Sequence, residues 1–214
     1  MEEVKNEAAE FMKVRAVWQF FEAEARNGEI SLFVPGAEDA LHTFRFPRQR
    51  QGDFLCLSDY ILPARDANSK RERDHLAMFV VTAGEGIRER SEKAKNDGYY
   101  FKSHGLQALA IETAEACAEW LHRRIREDWG FPDPPELTMA QRFTSRYRGK
   151  RYSFGYPACP NLEDQAGLWK LLRPEEIGVQ LTEGFMMDPE ASVSALVFQH
   201  PDCTYFSVGE AAEA

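Results

Sequence analysis

Near the start of the chain, Phe11, Val14, Val17, Trp18 and Phe21 fall at helical spacing and predict a helix over residues 8–21. No capping residue precedes it, so the chain is expected to begin inside or beside a helix, with its first residue a candidate fragment boundary. Residues 30–34 and 42–46 are short β-prone runs joined by Pro-Gly-Ala-Glu-Asp-Ala, a pattern that predicts a hairpin with a long loop. A third strand is expected at 54–57, and the continuous apolar run 77–81 reads as a buried strand. Gly84 and Gly86 break that run ahead of a charged helix over 87–96. The clearest stripe lies between 103 and 128, where Leu106, Leu109, Ala110, Ala114, Cys117, Leu121 and Ile125 share one helical face. Glu115 sits beside that stripe, and Gly130 with Pro132-Asp133-Pro134-Pro135 ends the helix.

The next stretch, Arg151-Tyr-Ser-Phe-Gly155-Tyr156-Pro157-Ala158-Cys159-Pro160, is unlike the rest. Its prolines fix φ and lack donors, and Gly155 permits conformations that other residues resist. The backbone of Tyr156, Ala158 and Cys159 is therefore expected to find no helix or ladder partner, beside a guanidinium suited to gripping a carboxylate. Such a segment is either a binding site for a small zwitterion or a rigid buried loop. Asn161 then caps a helix expected over 162–172, with Glu163 and Asp164 at its positive end. Strands are expected near 179–182, 193–200 and 204–208, the last two joined into a hairpin by His200-Pro-Asp-Cys203. Helices and antiparallel strands without a βαβ rhythm define an α+β fold, with a twisted, largely antiparallel sheet flanked by helices in one domain spanning 1–214.

Composition narrows the function classes. At 43% hydrophobic residues over 214 positions, the chain has enough apolar surface for a core without staples. Cys56, Cys117, Cys159 and Cys203 are dispersed, which argues against a zinc ribbon or a disulfide framework and for a reducing, cytoplasmic setting. No apolar run reaches membrane-spanning length, and the start lacks the pattern of a signal peptide. A net charge of −9 weighs against nucleic acid. Arg142, Arg146, Arg148, Lys150 and Arg151 form a basic stretch within this acidic chain, either a solvated face or a local docking surface. His42, His75, His104, His122 and His200 show no ligand spacing, so no metal site is expected.

The Arg-x-x-x-Gly-Tyr-Pro-Ala-Cys-Pro motif is followed by a helix, then by Leu181-Thr-Glu-Gly-Phe-Met-Met187, Ala191-Ser-Val-Ser-Ala195 and His200-Pro-Asp-Cys-Thr-Tyr-Phe206. Upstream come Arg15-Ala-Val-Trp-Gln-Phe-Phe21, Cys56-Leu-Ser-Asp59-Tyr60, Phe79-Val-Val-Thr-Ala-Gly84 and Ala114-Glu-Ala-Cys-Ala-Glu-Trp-Leu-His122. Together, over about 11–209, these closely resemble the activation domain of cobalamin-dependent methionine synthase. The resemblance implies an S-adenosylmethionine-binding domain that presents a methyl group when inactive cob(II)alamin is reductively remethylated, within methionine biosynthesis. It implies that Arg151 binds the methionine carboxylate and Asp59 the α-ammonium. Backbone around Tyr156, Ala158, Tyr205 and Phe206 would frame the adenosine, and Glu115 would lie near the sulfonium through water. Cobalamin would be held by a separate domain, in the same polypeptide or in trans, and the electron would come from a reduced flavoprotein of the flavodoxin type.

Taken without the resemblance, Asp59 reads as a turn residue or salt-bridge partner, Glu115 and Glu119 as solvated helix residues, and Tyr205 and Phe206 as strand residues. Two positions depart from the family pattern: Ser145 where relatives commonly carry a carboxylate, and Leu162 where many carry a histidine. No catalytic acid, base or nucleophile is expected from this chain, because the cobalt itself is the nucleophile and the protein's part is placement. The domain is thus expected to belong to a methyltransferase and to be inactive alone. An alternative is a free-standing S-adenosylmethionine-binding reactivator or regulator of another corrinoid protein; a third reading is an interaction module that binds no ligand.

Overall fold

The computed structural model describes residues 2–65 and 72–209. Helix α1 (Glu2–Phe11) is followed by strands β1 (Arg15–Arg26), β2 (Glu29–Phe33) and β3 (His42–Arg45), then by β4 (Asp74–Thr82). Helices α2 (Ile87–Asn96), α3 (Tyr100–Asp128) and α4 (Met139–Phe143) lead to β5 (Lys150–Tyr152) and α5 (Gln165–Leu172). Strands β6 (Gln180–Leu181) and β7 (Met187–Asp188) form a small ladder before β8 (Ser192–Phe198). The main sheet runs β3-β2-β1-β4-β8-β5, with every neighbouring pair antiparallel. This is the α+β architecture expected from the order of the elements.

Alternation along the central strands builds a core on each face of the sheet. Val17, Phe21 and Ala23 of β1, Leu76, Met78 and Val80 of β4, and Leu196 and Phe198 of β8 enter one core with Leu168, Trp169 and Leu172 of α5. The intervening Ala16 and Phe20, Ala77, Phe79 and Val81, and Ala195 and Val197 pack under Ala118, Leu121 and Ile125 of α3. Helix α1 closes one end by placing Val4 and Ala8 against Leu106 of α3.

The helix expected over 8–21 stops at Phe11, and the chain then enters β1. A strand covered on both faces carries apolar residues at odd and even positions, and over a short window that density imitates a 3.6-residue period. The strand expected at 54–57 is absent: Phe54 has φ 53°, outside the extended region, and a 3₁₀ turn occupies Leu57–Tyr60. The Asp59 carboxylate accepts the Cys56 amide at 3.0 Å, a local bond that competes with ladder pairing. The run expected at 179–182 pairs only with β7, outside the main sheet.

The hairpin expected between 193–200 and 204–208 also does not form. The two edges of β8 are taken by β4 and by β5, which pairs Arg151 with Val197. The chain turns at His200, where Cys203 N–H donates to its carbonyl at 3.2 Å, and the next residues tie elsewhere. Tyr152 Oη donates to Thr204 O at 2.6 Å and Val208 N–H donates to Pro157 O at 3.0 Å, which lays this segment against the Gly-Tyr-Pro turn.

Candidate functional site

β5 holds Arg151 at the sheet edge, and the turn after it closes largely on itself. Gly155 N–H donates to Cys159 O at 3.0 Å, Cys159 N–H to Tyr156 O at 2.9 Å, and Tyr156 N–H to Ser153 O at 3.3 Å. The expectation that Tyr156 and Cys159 lack local partners is therefore corrected: the turn pairs them across its own mouth. Among the described residues, only Ala158 of that trio has a backbone amide outside these bonds. Gly155 sits at φ +84°, a left-handed conformation that favours glycine.

A cleft of about 610 Å³ opens between this turn, α3, α5, the start of β8 and the C-terminal segment. The structure brings Glu115, Arg151, Tyr156, Ala158, Tyr205 and Phe206 to its lining. Asp59 is not among the lining residues. Its carboxylate accepts two 2.6 Å bonds from the Arg48 guanidinium, at the wall of a larger and more open cleft lined also by Arg26 and Arg45. The smaller cleft is the better candidate because its charged groups adjoin apolar walls and Arg151 keeps one terminal nitrogen without a short partner, whereas Asp59 takes both terminal nitrogens of Arg48 in the larger one.

Arg151 is the electrostatic centre. Its side chain is 20% exposed; burial works against its charge, yet the hydrogen bond and charge of Glu119 outweigh it and hold the guanidinium above its ordinary pKa. Arg151 Nη1 donates to Glu119 Oε2 at 2.5 Å, while Nη2 stands 4.0 Å from Glu115 Oε2. Glu115 is half-exposed and one helical turn from Glu119, so both carboxylates rise from the same face of α3.

The floor is polar but satisfied. Gln165 donates to Phe185 O at 2.6 Å and accepts from Ser194 Oγ at 2.7 Å, and Ser153 Oγ donates to Ser194 O at 2.6 Å. The exposed side chains of Tyr156, Met186 and Tyr205 form part of the rim. Sequence reasoning missed Glu119 and Gln165 as site residues. Glu119 shares a helical face with Glu115 four positions before it, but a glutamate there reads as solvated, and nothing local marks Gln165. Leu162 lines the cleft, whereas Ser145 is not among its lining residues and has its Oγ 3.5 Å from Tyr147 Oη.

The basic stretch is largely absorbed. Arg142 pairs with Asp133, Lys150 donates to the carbonyls of Tyr147 and Gly149, and Arg148 donates to Gln199 O. Arg146 is exposed and has no side-chain partner among the described residues. The described residues contain no helix long and apolar enough to cross a membrane, and no cluster of three or more His, Cys, Asp or Glu able to hold a metal ion.

A half-buried guanidinium between two carboxylates, facing aromatic rims in an antiparallel α+β domain, has the chemistry to hold a small charged molecule with a planar part. The comparisons make the class specific. A family profile described as "Vitamin B12 dependent methionine synthase, activation domain" matches residues 2–214, and the chain belongs to that family. The methionine synthases of Mycobacterium tuberculosis and Mycobacterium leprae are similar at 38% and 37% identity over 204 residues, 90% of this chain. The chain spans 17% of the length of these relatives. The crystal structure of the MetH reactivation domain bound to AdoHcy is similar with a TM-score of 0.87 and 28% identity, over 98% of this chain and 67% of that one.

Proposed function

We propose that this chain binds S-adenosylmethionine in the Arg151 cleft and presents its methyl group to a cobalamin held by a separate domain. The observation that carries the reading is Arg151: a half-buried guanidinium with one nitrogen fixed by Glu119 and the other turned to a cleft wall without a short partner. A ligand carboxylate can take that second nitrogen. Glu115, half-exposed at the same wall, then offers a negative charge to the ligand's cationic end, and Tyr156, Tyr205 and Phe206 offer ring faces and backbone to its adenosine. The family's AdoHcy-bound relative supports this choice of ligand.

When bound, S-adenosylmethionine supplies the sulfonium methyl for reductive remethylation of inactive cob(II)alamin. The chain's own residues orient the ligand: Arg151 fixes one end and the proline-constrained turn frames the other. The role of Asp59 at the α-ammonium, proposed from its family position, requires its Arg48 pair to open. Partners on this reading are the cobalamin-binding domain and a reducing flavoprotein such as flavodoxin. Four free cysteines support a reducing compartment, the cytoplasm.

Replacing Arg151 by Ala removes a charge-assisted pair with the ligand and is expected to weaken binding about ten- to a hundredfold, the equivalent of roughly 1.5–3 kcal/mol. Titration of the variant with S-adenosylmethionine checks this. Unchanged affinity would remove Arg151 from the site.

A further inference from the structure

We propose that Glu119 is a positioning residue that aims Arg151 at the ligand carboxylate, with Tyr147 as its support. This rests on the reading that the cleft takes S-adenosylmethionine. Glu119 Oε2 accepts from Arg151 Nη1 at 2.5 Å and from Tyr147 Oη at 3.3 Å. Its Oε1 is buried and has no partner among the described residues. Tyr147 itself packs against two buried residues of α3. The Arg126 guanidinium lies 3.7 Å over its ring, and His122 meets the ring edge-on at 5.2 Å between centroids. Arg126, 1% exposed, is clamped by Asp133 through bonds of 2.7 and 2.9 Å.

The chain Asp133–Arg126–Tyr147–Glu119–Arg151 therefore runs from the buried end of α3 to the cleft. An unrestrained arginine explores many rotamers and loses that freedom when it grips a ligand. Glu119 removes the freedom in advance by committing Nη1, which leaves Nη2 facing the looser Glu115 at 4.0 Å. Two effects of Glu119 oppose each other. Its geometry favours ligand binding, and its negative charge weakens the attraction of Arg151 for a second carboxylate. Positioning is the effect we assign as dominant, because Glu119 also accepts from Tyr147, whose ring packs against the buried Arg126 and His122.

The test compares Glu119→Met, which keeps length and loses the acceptor, with Glu119→Gln, which keeps an acceptor and loses the charge. Each is titrated with S-adenosylmethionine and with 5′-methylthioadenosine, which lacks the amino-acid end. Positioning predicts an S-adenosylmethionine affinity about tenfold lower in Glu119→Met, largely recovered in Glu119→Gln, with 5′-methylthioadenosine within about twofold throughout. Equal or tighter S-adenosylmethionine binding by Glu119→Met would overturn the proposal in favour of charge neutralisation. Equal loss for both ligands would overturn it in favour of a merely structural role. Should Glu119→Met fail to fold, Tyr147→Phe removes the supporting hydroxyl, and positioning predicts a loss of about threefold confined to S-adenosylmethionine; no loss, or an equal loss for both ligands, overturns the proposal. Absence of S-adenosylmethionine binding by the wild-type chain would instead defeat the functional reading, and this proposal with it.

Discussion

Lowering the pH should destabilise this chain through His122 before the carboxylates titrate. The imidazole is fully buried, and neither ring nitrogen has a hydrogen-bond partner among the described residues. Burial, reinforced by the positive charges of Arg126, Arg151 and Lys150, holds its pKa well below the ordinary value of 6.5. Below 6.5 the unfolded chain takes up a proton at this residue and the folded chain does not, so the contribution is intact above that value and declines as pH falls. With up to one proton of difference the slope reaches about 1.4 kcal/mol per pH unit, so descent from about pH 7.5 to 5.5 costs on the order of 1 kcal/mol. That corresponds to a fall in Tm of about 2–4 °C for a domain of this size. His122→Leu is close in volume and does not titrate. Denaturant unfolding of both proteins across this range should show the wild type losing on the order of 1 kcal/mol more than the variant, a difference that cancels other titrating groups. Parallel curves would refute the reasoning and mean that His122 binds its proton equally in both states.

Gly167 of α5 faces His42 and Phe44 so closely that a Cβ would lie 2.3 Å from His42 Nε2 and 2.8 Å from Phe44 Cε1. Gly167→Ala is expected to cost about 1–3 kcal/mol in denaturant unfolding, and an unchanged midpoint would show that both rings move aside freely. Asp59→Asn is expected to weaken S-adenosylmethionine more than 5′-methylthioadenosine, while the loss of the exposed Arg48 pair costs under about 1 kcal/mol of stability. Equal affinities in calorimetry would remove Asp59 from the site. Arg146→Glu, in a polypeptide that includes the cobalamin domain, is expected to slow flavoprotein-driven reactivation most at low ionic strength and to spare reactivation by a chemical reductant. Equal slowing with both reductants would exclude a docking role for Arg146.

Helices α2, α3 and α5 were legible because one apolar face against solvent leaves a simple period, whereas α1 overlaps its expected helix only at residues 8–11 and α4 was not foreseen. Helix α2 spans Ile87–Asn96 as expected, and α3 extends the expected helix by one turn at its start. β1 was not legible because Phe20 and Phe21 point into different cores, and density without alternation imitates a helix. The segment at 204–208 carries strand-like residues, but whether it pairs depends on who occupies the edge of β8. That edge goes to the three residues Lys150–Tyr152, too short and charged to stand out. The Arg151–Ala158 part of the site was readable because it is local. Glu119 was not, since a glutamate on an amphipathic helix looks solvated until Arg151 and Tyr147 are folded onto it. The Arg48 pair that holds Asp59 likewise joins residues whose charges alone do not name each other.

The central claim is tested most directly by titrating the 214-residue chain with S-adenosylmethionine in a calorimeter. The account predicts saturable binding at one site per chain, and competition by AdoHcy for that site. No heat of binding at ligand concentrations well above the millimolar range, in a chain shown to be folded, would contradict it.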